Sequence, residues 1–92
     1  MTKKTVLLDS KERLSRADAA SFLRQLADKV EAGNVSLIQG SEEVSLEIPH
    51  QVILEVQAKQ KAKRQGAKHV LEVEIEWTVG ADGAAKPGLE LG

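Results

Sequence analysis

The chain has 92 residues, of which 41% are hydrophobic and 29% are charged, and its formal net charge is −1. This length supports one small hydrophobic core, and the absence of cysteine excludes disulfides, thiolate nucleophiles and cysteine metal ligands. The near-neutral charge argues against a nucleic-acid binder that depends on a net basic surface.

The first predicted element is a strand over residues 5–14, in which Val6 and Leu8 share one face. The apolar run at its start, Val6-Leu7-Leu8, is too short for the core of a signal peptide. No apolar run approaches the roughly 20 residues of a membrane span. We therefore expect a cytoplasmic protein that does not contact a membrane.

A helix is predicted over residues 15–32. Ser15 is a good N-cap, and Asp18 follows three residues later, as in a capping box. Gly33 comes after the last apolar position, where a left-handed C-cap belongs. Apolar residues recur at helical spacing, so we expect one face of the helix to pack on a sheet. This apolar stripe consists of Ala19, Phe22, Leu23, Leu26, Ala27 and Val30.

After Gly33 the apolar residues alternate with polar ones, which is typical of strands. Four alternating runs follow, over residues 35–38, 44–48, 52–65 and 71–77. This pattern predicts an antiparallel meander in which one face is buried and the other is exposed to solvent. The runs are separated by three turn signals, Gly40-Ser41, Pro49-His50-Gln51 and Gly66-Ala67.

These elements predict one α+β domain over residues 1–79. Its fold would be a five-stranded antiparallel sheet with one α-helix packed on one face, in the order β-α-β-β-β-β. Chain connectivity favours the strand order 2-3-4-5-1 in the sheet. The chain from Gly80 onward is rich in glycine and alanine and has no period, which predicts a disordered tail over residues 80–92.

The register of the last hairpin is predicted from a two-residue Gly66-Ala67 turn. In this register Lys61 lies opposite Glu72, and Lys59 lies opposite Glu74. Opposite charges in directly opposed positions favour such a register, although each exposed pair contributes only about 0.2–1 kcal/mol.

The part of this hairpin next to the turn is the predicted dimer or partner-binding surface. There Leu71 would pair with Ala62, and Val73 with Gln60. No bulky side chain of this chain is expected to cover these pairs. The alternative is that the strands bend and the first strand covers this surface. Ile38 and Ile53, which point outward, add to the candidate interface, and Leu7 is a further outward apolar residue that supports an interaction role.

A basic run at the same turn is the candidate contact for an anion or a nucleic acid. The alternative is a solvated hairpin face, in which Glu72 and Glu74 neutralise the basic charges. We favour the solvated face, because no exposed aromatic residue is interleaved for base stacking. The basic residues are Lys59, Lys61, Lys63, Arg64 and Lys68.

Two parts of the chain together resemble a known family. The capped helix, from residue 14 to residue 28 and followed by Gly33, is one part, and the closing alternation LEVEIEW over residues 71–77 is the other. The pattern resembles the amphi-Trp domain family of small prokaryotic proteins, over residues 5–78. The resemblance implies a small stand-alone domain and transfers no catalytic or binding residue. The basic stretch 59–64 and the tail after Val79 lie outside it.

Trp77 ends the last alternation and is predicted to be a core residue. We expect it to pack under the helix beside Phe22. The alternative is an aromatic residue that stacks on a ligand or lies in an interface. The predicted structural residues are therefore Ser15, Asp18, Phe22, Leu26, Gly33 and Trp77.

The chain shows no pattern typical of an enzyme. Glu72, Glu74 and Glu76 share a strand face, but a flat strand spreads carboxylates apart instead of converging them on a cation. His50 and His69 lie beside different turns, and no serine has the context of a nucleophile. We therefore expect no catalytic site, metal or cofactor.

The predicted function is that of a non-catalytic protein-interaction or homo-oligomerising module. The alternative is nucleic-acid or anionic-ligand binding through the basic hairpin 59–68.

Overall fold

The structure is a computed structural model that describes residues 3–80. In that part of the chain it contains one helix and four strands, which form two compact units divided between His50 and Gln51. The described helix is not long and apolar enough to cross a membrane. The elements are α1 (Arg16–Ala32), β1 (Asn34–Gln39), β2 (Glu42–Glu47), β3 (Ile53–Ala62) and β4 (Ala67–Glu76).

Both predicted caps of α1 are confirmed. Ser15 has an extended backbone, and its Oγ accepts a hydrogen bond from the N–H of Asp18 at 3.0 Å. Gly33 has a φ of 89°, and its N–H donates to the carbonyl oxygens of Lys29 and Val30, both at 3.0 Å. A residue with a Cβ is strained at such a φ, which explains the glycine.

In the first unit, α1 packs on β1. Leu26 and Val30 of the helix are half-buried, and Val35 of β1 is the one buried side chain within residues 3–80. Phe22 and Leu23 are 54% and 57% exposed. The predicted apolar stripe is thus covered at its C-terminal half and open at its N-terminal half.

Strands β1 and β2 form an antiparallel hairpin around the predicted Gly40-Ser41 turn. Val35 lies opposite Leu46, and the N–H of Ile48 donates to the carbonyl oxygen of Gly33 at 2.9 Å. This last bond continues the pairing one residue beyond β2 and ties the hairpin to the C-cap of the helix.

The predicted five-stranded sheet is wrong. Within the described residues the strands form two separate two-stranded antiparallel sheets, β1–β2 and β3–β4. Residues 48–52 are neither helix nor strand and separate the two hairpins. Pro49 lies in this segment, and a proline offers no N–H to a ladder, so it favours a break there. The α+β class holds, but the strand order 2-3-4-5-1 and the topology β-α-β-β-β-β do not.

The predicted strand over residues 5–14 is also wrong. Residues 3–15 contain neither helix nor strand, and Val6 and Leu7 are 75% and 60% exposed. After Leu8 the chain continues with five polar residues, which leaves too few apolar positions to hold a strand on a sheet. The single-domain extent 1–79 stays a prediction, and residues 81–92 of the predicted tail lie outside the described residues.

Candidate functional site

A four-residue loop, residues 63–66, joins β3 to β4. The N–H of Lys63 donates to the carbonyl oxygen of Gly66 at 3.0 Å, and Gly66 has a φ of 90°. The predicted two-residue Gly66-Ala67 turn is wrong, because Ala67 is already the first residue of β4 and lies opposite Ala62. In such loops a left-handed glycine returns the chain to the second strand.

The longer loop changes the register of the hairpin. Lys61 lies opposite Lys68, whereas the predicted partner was Glu72, so the pairing is shifted by four residues. Glu55 lies opposite Glu74. Like charges in directly opposed positions destabilise a hairpin, so this register contains two unfavourable pairs in place of the predicted favourable ones.

One ion pair forms on the hairpin, and it is diagonal. Lys59 Nζ lies 3.2 Å from Glu72 Oε1, although Lys59 is directly opposite Val70 and Glu72 is directly opposite Gln57. The two side chains are 50% and 39% exposed, so solvent screens the pair. Lys59 was predicted to pair with Glu74, and this prediction is wrong, because Glu74 lies opposite Glu55.

We call the side of the hairpin with these charges the charged face. Its basic residues lie near the loop and its carboxylates near the open end, where the carboxylate oxygens of Glu55, Glu74 and Glu76 lie within 4.8 Å of one another. All three glutamates are exposed, and we assign no metal to them. The charged face consists of Ile53, Glu55, Gln57, Lys59 and Lys61 of β3 with Lys68, Val70, Glu72, Glu74 and Glu76 of β4.

The opposite side of the hairpin carries large aliphatic residues toward its open end. Val56 lies opposite Val73, and Leu71 lies opposite Ala58. Leu54, Val56, Leu71 and Val73 are between 57% and 75% exposed. We call this surface the apolar face, which consists of Leu54, Val56, Ala58, Leu71, Val73 and Ile75.

The alternation that forms these two faces continues to Trp77, the closing feature of the predicted family pattern. The model of the Amphi-Trp domain family matches residues 1–92. The chain belongs to the Amphi-Trp domain family. The match covers the whole chain and therefore includes the basic stretch 59–64 and the tail, which the sequence pattern had left out. No curated protein and no solved structure matches the chain significantly.

The Amphi-Trp hairpin brings together four of the six residues predicted for the interface. Leu71, Val73, Gln60 and Ala62 all lie on the side that carries the apolar face. Their pairing differs from the predicted one, because Leu71 lies opposite Ala58 and Val73 opposite Val56. Gln60 is opposite His69, and its Oε1 lies 2.8 Å from the Nε2 of that histidine.

The other two predicted interface residues lie elsewhere. Ile53 is on the charged face and is 63% exposed, and Ile38 belongs to the first unit and is 71% exposed. Leu54 and Val56 were missed as surface residues, because the helix was expected to cover one face of a single five-stranded sheet. Their alternation with charged residues was the available signal, but it does not say whether a strand face is covered.

The predicted basic residues of this Amphi-Trp domain do gather at the loop end of the hairpin. Lys63 and Arg64 lie in the loop, and Lys61 and Lys68 form the ladder pair just before it. Lys59 is the one member that forms an ion pair within the described residues. The predicted neutralisation by both Glu72 and Glu74 is therefore wrong.

Trp77 follows β4 directly and is half-buried, in the second unit, whereas Phe22 belongs to the first unit. The predicted packing of Trp77 beside Phe22 stays a prediction. In the first unit, Phe22 and Leu26 border a shallow surface depression with Val35 and Leu37.

Proposed function

We propose that this Amphi-Trp domain is a non-catalytic module that associates with a second copy of itself through the β3–β4 hairpin. The observation that carries the proposal is the apolar face, on which four large aliphatic side chains are more than half exposed on adjacent strands. Contiguous exposed apolar surface of this kind is typical of interaction sites in soluble proteins.

The described part of the second unit lacks the burial that a stable sheet needs. Within residues 51–80 it contains β3 and β4 and no helix, and none of its side chains is buried. A two-stranded hairpin by itself is marginally stable in water. Each large aliphatic side chain that becomes fully covered contributes about 1.5–3 kcal/mol, so an association that covers even part of the apolar face would stabilise the hairpin.

Sedimentation equilibrium of the full chain over a range of concentrations tests this proposal. We expect a dimer that dissociates on dilution. Val56→Asp places a charge on the β3 part of the apolar face and should weaken the dimer at least about tenfold, because the carboxylate would lie at the contact between the copies without a basic partner. Ile38→Asp is the matched control, since it makes the same kind of change at an exposed strand residue of the first unit.

The control should leave the dissociation constant within about twofold of that of the original chain. A chain that is monomeric at every concentration contradicts the proposal. Equal effects of Val56→Asp and Ile38→Asp would also contradict it, because the interface would then not be specific to the β3–β4 hairpin.

A second candidate function is anion or nucleic-acid binding at the loop end of the hairpin. The observation that favours it is the register, which places Lys61 opposite Lys68 next to Lys63 and Arg64. It ranks second because the net charge is −1 and residues 59–68 contain no aromatic side chain for base stacking.

A mobility-shift assay with single-stranded RNA tests this second function. Binding should weaken steeply as the salt concentration rises, because each phosphate contact releases counterions. Lys63→Glu combined with Arg64→Glu should abolish the shift. The matched control, Arg24→Glu combined with Lys29→Glu, makes the same charge change on α1 and should preserve it. Absence of a shift at low salt would exclude this function.

A further inference from the structure

Strand β3 carries two charges that face like charges in their own hairpin. Glu55 lies opposite Glu74, and Lys61 lies opposite Lys68. Glu55 and Lys61 are on the same face, and each is three residues from Ala58 along the strand. The two charges are therefore opposite in sign and symmetric about Ala58.

This symmetry makes the edge of β3 complementary to itself. If two β3 strands lie side by side and antiparallel, with Ala58 opposite the Ala58 of the other copy, Glu55 of each copy lies opposite Lys61 of the other. Both residues then gain the opposite charge that their own hairpin does not supply. Residues on the same face also stay together, so both apolar faces lie on one side.

We propose that two copies of this chain pair edge to edge through β3, antiparallel, around a twofold axis at Ala58. The pairing builds one four-stranded sheet from two hairpins. The inference rests on the proposed self-association and places it at the edge of β3. On the side of the apolar face, Leu54 and Val56 of each copy then lie beside Ala62 and Gln60 of the other, so the β3 part of that face is covered laterally. The pairing also satisfies the need of a sheet for more than two strands.

Lys68 and Glu74 of β4 are symmetric about Leu71 in the same way, so exposure decides between the two edges, and it favours β3. All ten residues of β3 are exposed, whereas Val70, Glu72 and Ile75 of β4 are half-buried. Among the described strands β3 pairs with β4 alone, so its other edge presents unpaired N–H and C=O groups. Such an edge is a template for another strand.

The ion pair of the hairpin selects the position of the axis. An axis at Gln57 would place Glu55 opposite Lys59 of the other copy and Lys61 opposite Ile53. Lys59 already binds Glu72 at 3.2 Å, so that register would leave Lys61 beside its like-charged neighbour without a carboxylate. The axis at Ala58 gives an opposite charge to both residues of β3 that face a like charge in the hairpin, Glu55 and Lys61.

Two substitutions with the same charge change separate this interface from general effects. Lys61→Glu and Lys68→Glu each convert the like-charge pair of the hairpin into an opposite-charge pair, so each should fold at least as well as the original chain. Only Lys61→Glu brings carboxylates face to face across the β3–β3 interface. It should raise the dissociation constant about tenfold at low ionic strength, because both symmetry-related pairs are lost together.

Lys68→Glu should change the dissociation constant less than about threefold, since Lys68 lies on β4, away from the paired edge. The double variant Glu55→Lys/Lys61→Glu exchanges the two charges and should restore the original affinity. Mixed with the original chain, the double variant should form few hybrid dimers, because each hybrid would place lysine opposite lysine and glutamate opposite glutamate. Native mass spectrometry of the mixture counts the hybrids.

The results separate the two proposals. A chain that dimerises, but in which Lys61→Glu and Lys68→Glu have equal effects, overturns the β3 geometry and leaves self-association standing. The geometry is also overturned if the double variant does not recover the original affinity. It is overturned as well if hybrid dimers form in the proportion expected for random pairing of the two chains. A chain that stays monomeric at all concentrations overturns both proposals.

Discussion

Lys61 lies directly opposite Lys68 in the β3–β4 ladder, so the loop end of the hairpin holds two like charges at close range. Such a pair is destabilising, and a register with opposite charges was available to the sequence. Conflicts between local pairing and the fold are expected where a surface has a further role. The paired lysines therefore point to a further contact of this hairpin.

Lys68→Glu should therefore stabilise the hairpin by about 0.2–1 kcal/mol, since it converts a repulsive cross-strand pair into an attractive one. Urea denaturation followed by circular dichroism measures the change in the free energy of unfolding. The gain should shrink at high salt, which screens exposed charges.

The control for this change is Lys63→Glu, which alters the net charge equally at a loop position without an opposite residue in the ladder. It should change the free energy of unfolding by less than about 0.5 kcal/mol. An equal gain from both variants would show that net charge, and not the pairing with Lys61, sets the stability.

Ser15→Ala should lower the free energy of unfolding by about 0.5–2 kcal/mol, because the N–H of Asp18 loses its acceptor at 3.0 Å. Ser15→Asp should stay close to the original stability, since a carboxylate also caps and favours the helix N-terminus. Thermal denaturation measures the stability of both variants. Ser10→Ala, which makes the same change outside α1, is the control. A loss from Ser10→Ala as large as that from Ser15→Ala would contradict the capping role.

Helix α1 was predictable from the sequence because its determinants are local. Ser15 and Gly33 set its ends through backbone groups a few residues away, and the apolar spacing marks the residues between them. The existence of the four later strands was predictable for the same reason, because alternation is also a local property.

The assembly of the strands was not predictable, because it depends on small differences between distant pairings. Gly66 suits either the first position of a two-residue turn or the last position of a four-residue loop, and the two choices shift the register by four residues. Charge pairing favoured the wrong choice, and its weight is only about 1 kcal/mol or less. A shift of four residues keeps every side chain on its face, so the alternation already gave the members of the apolar face, but it could not show that this face would be left exposed.

The ion pair between Lys59 and Glu72 should contribute little. A double-mutant cycle with Lys59→Gln and Glu72→Gln should give a coupling energy of at most about 1 kcal/mol, and high salt should remove it, because solvent reaches both side chains. Urea denaturation of the four chains at low and high salt measures the coupling. A larger, salt-independent coupling would mean that the pair is shielded from solvent.

Gly33→Ala should destabilise the first unit by about 1–2 kcal/mol, because alanine is strained at a φ of 89°. The strain and not a clash is the expected cause, since a Cβ at this position would lie 3.5 Å from the carbonyl oxygen of Ile48, an ordinary contact. Gly40→Ala separates the two causes, because its φ is 60° and a Cβ there would meet nothing within 4 Å. Similar losses for both variants in urea denaturation would identify strain, whereas a loss confined to Gly33→Ala would identify the contact with Ile48.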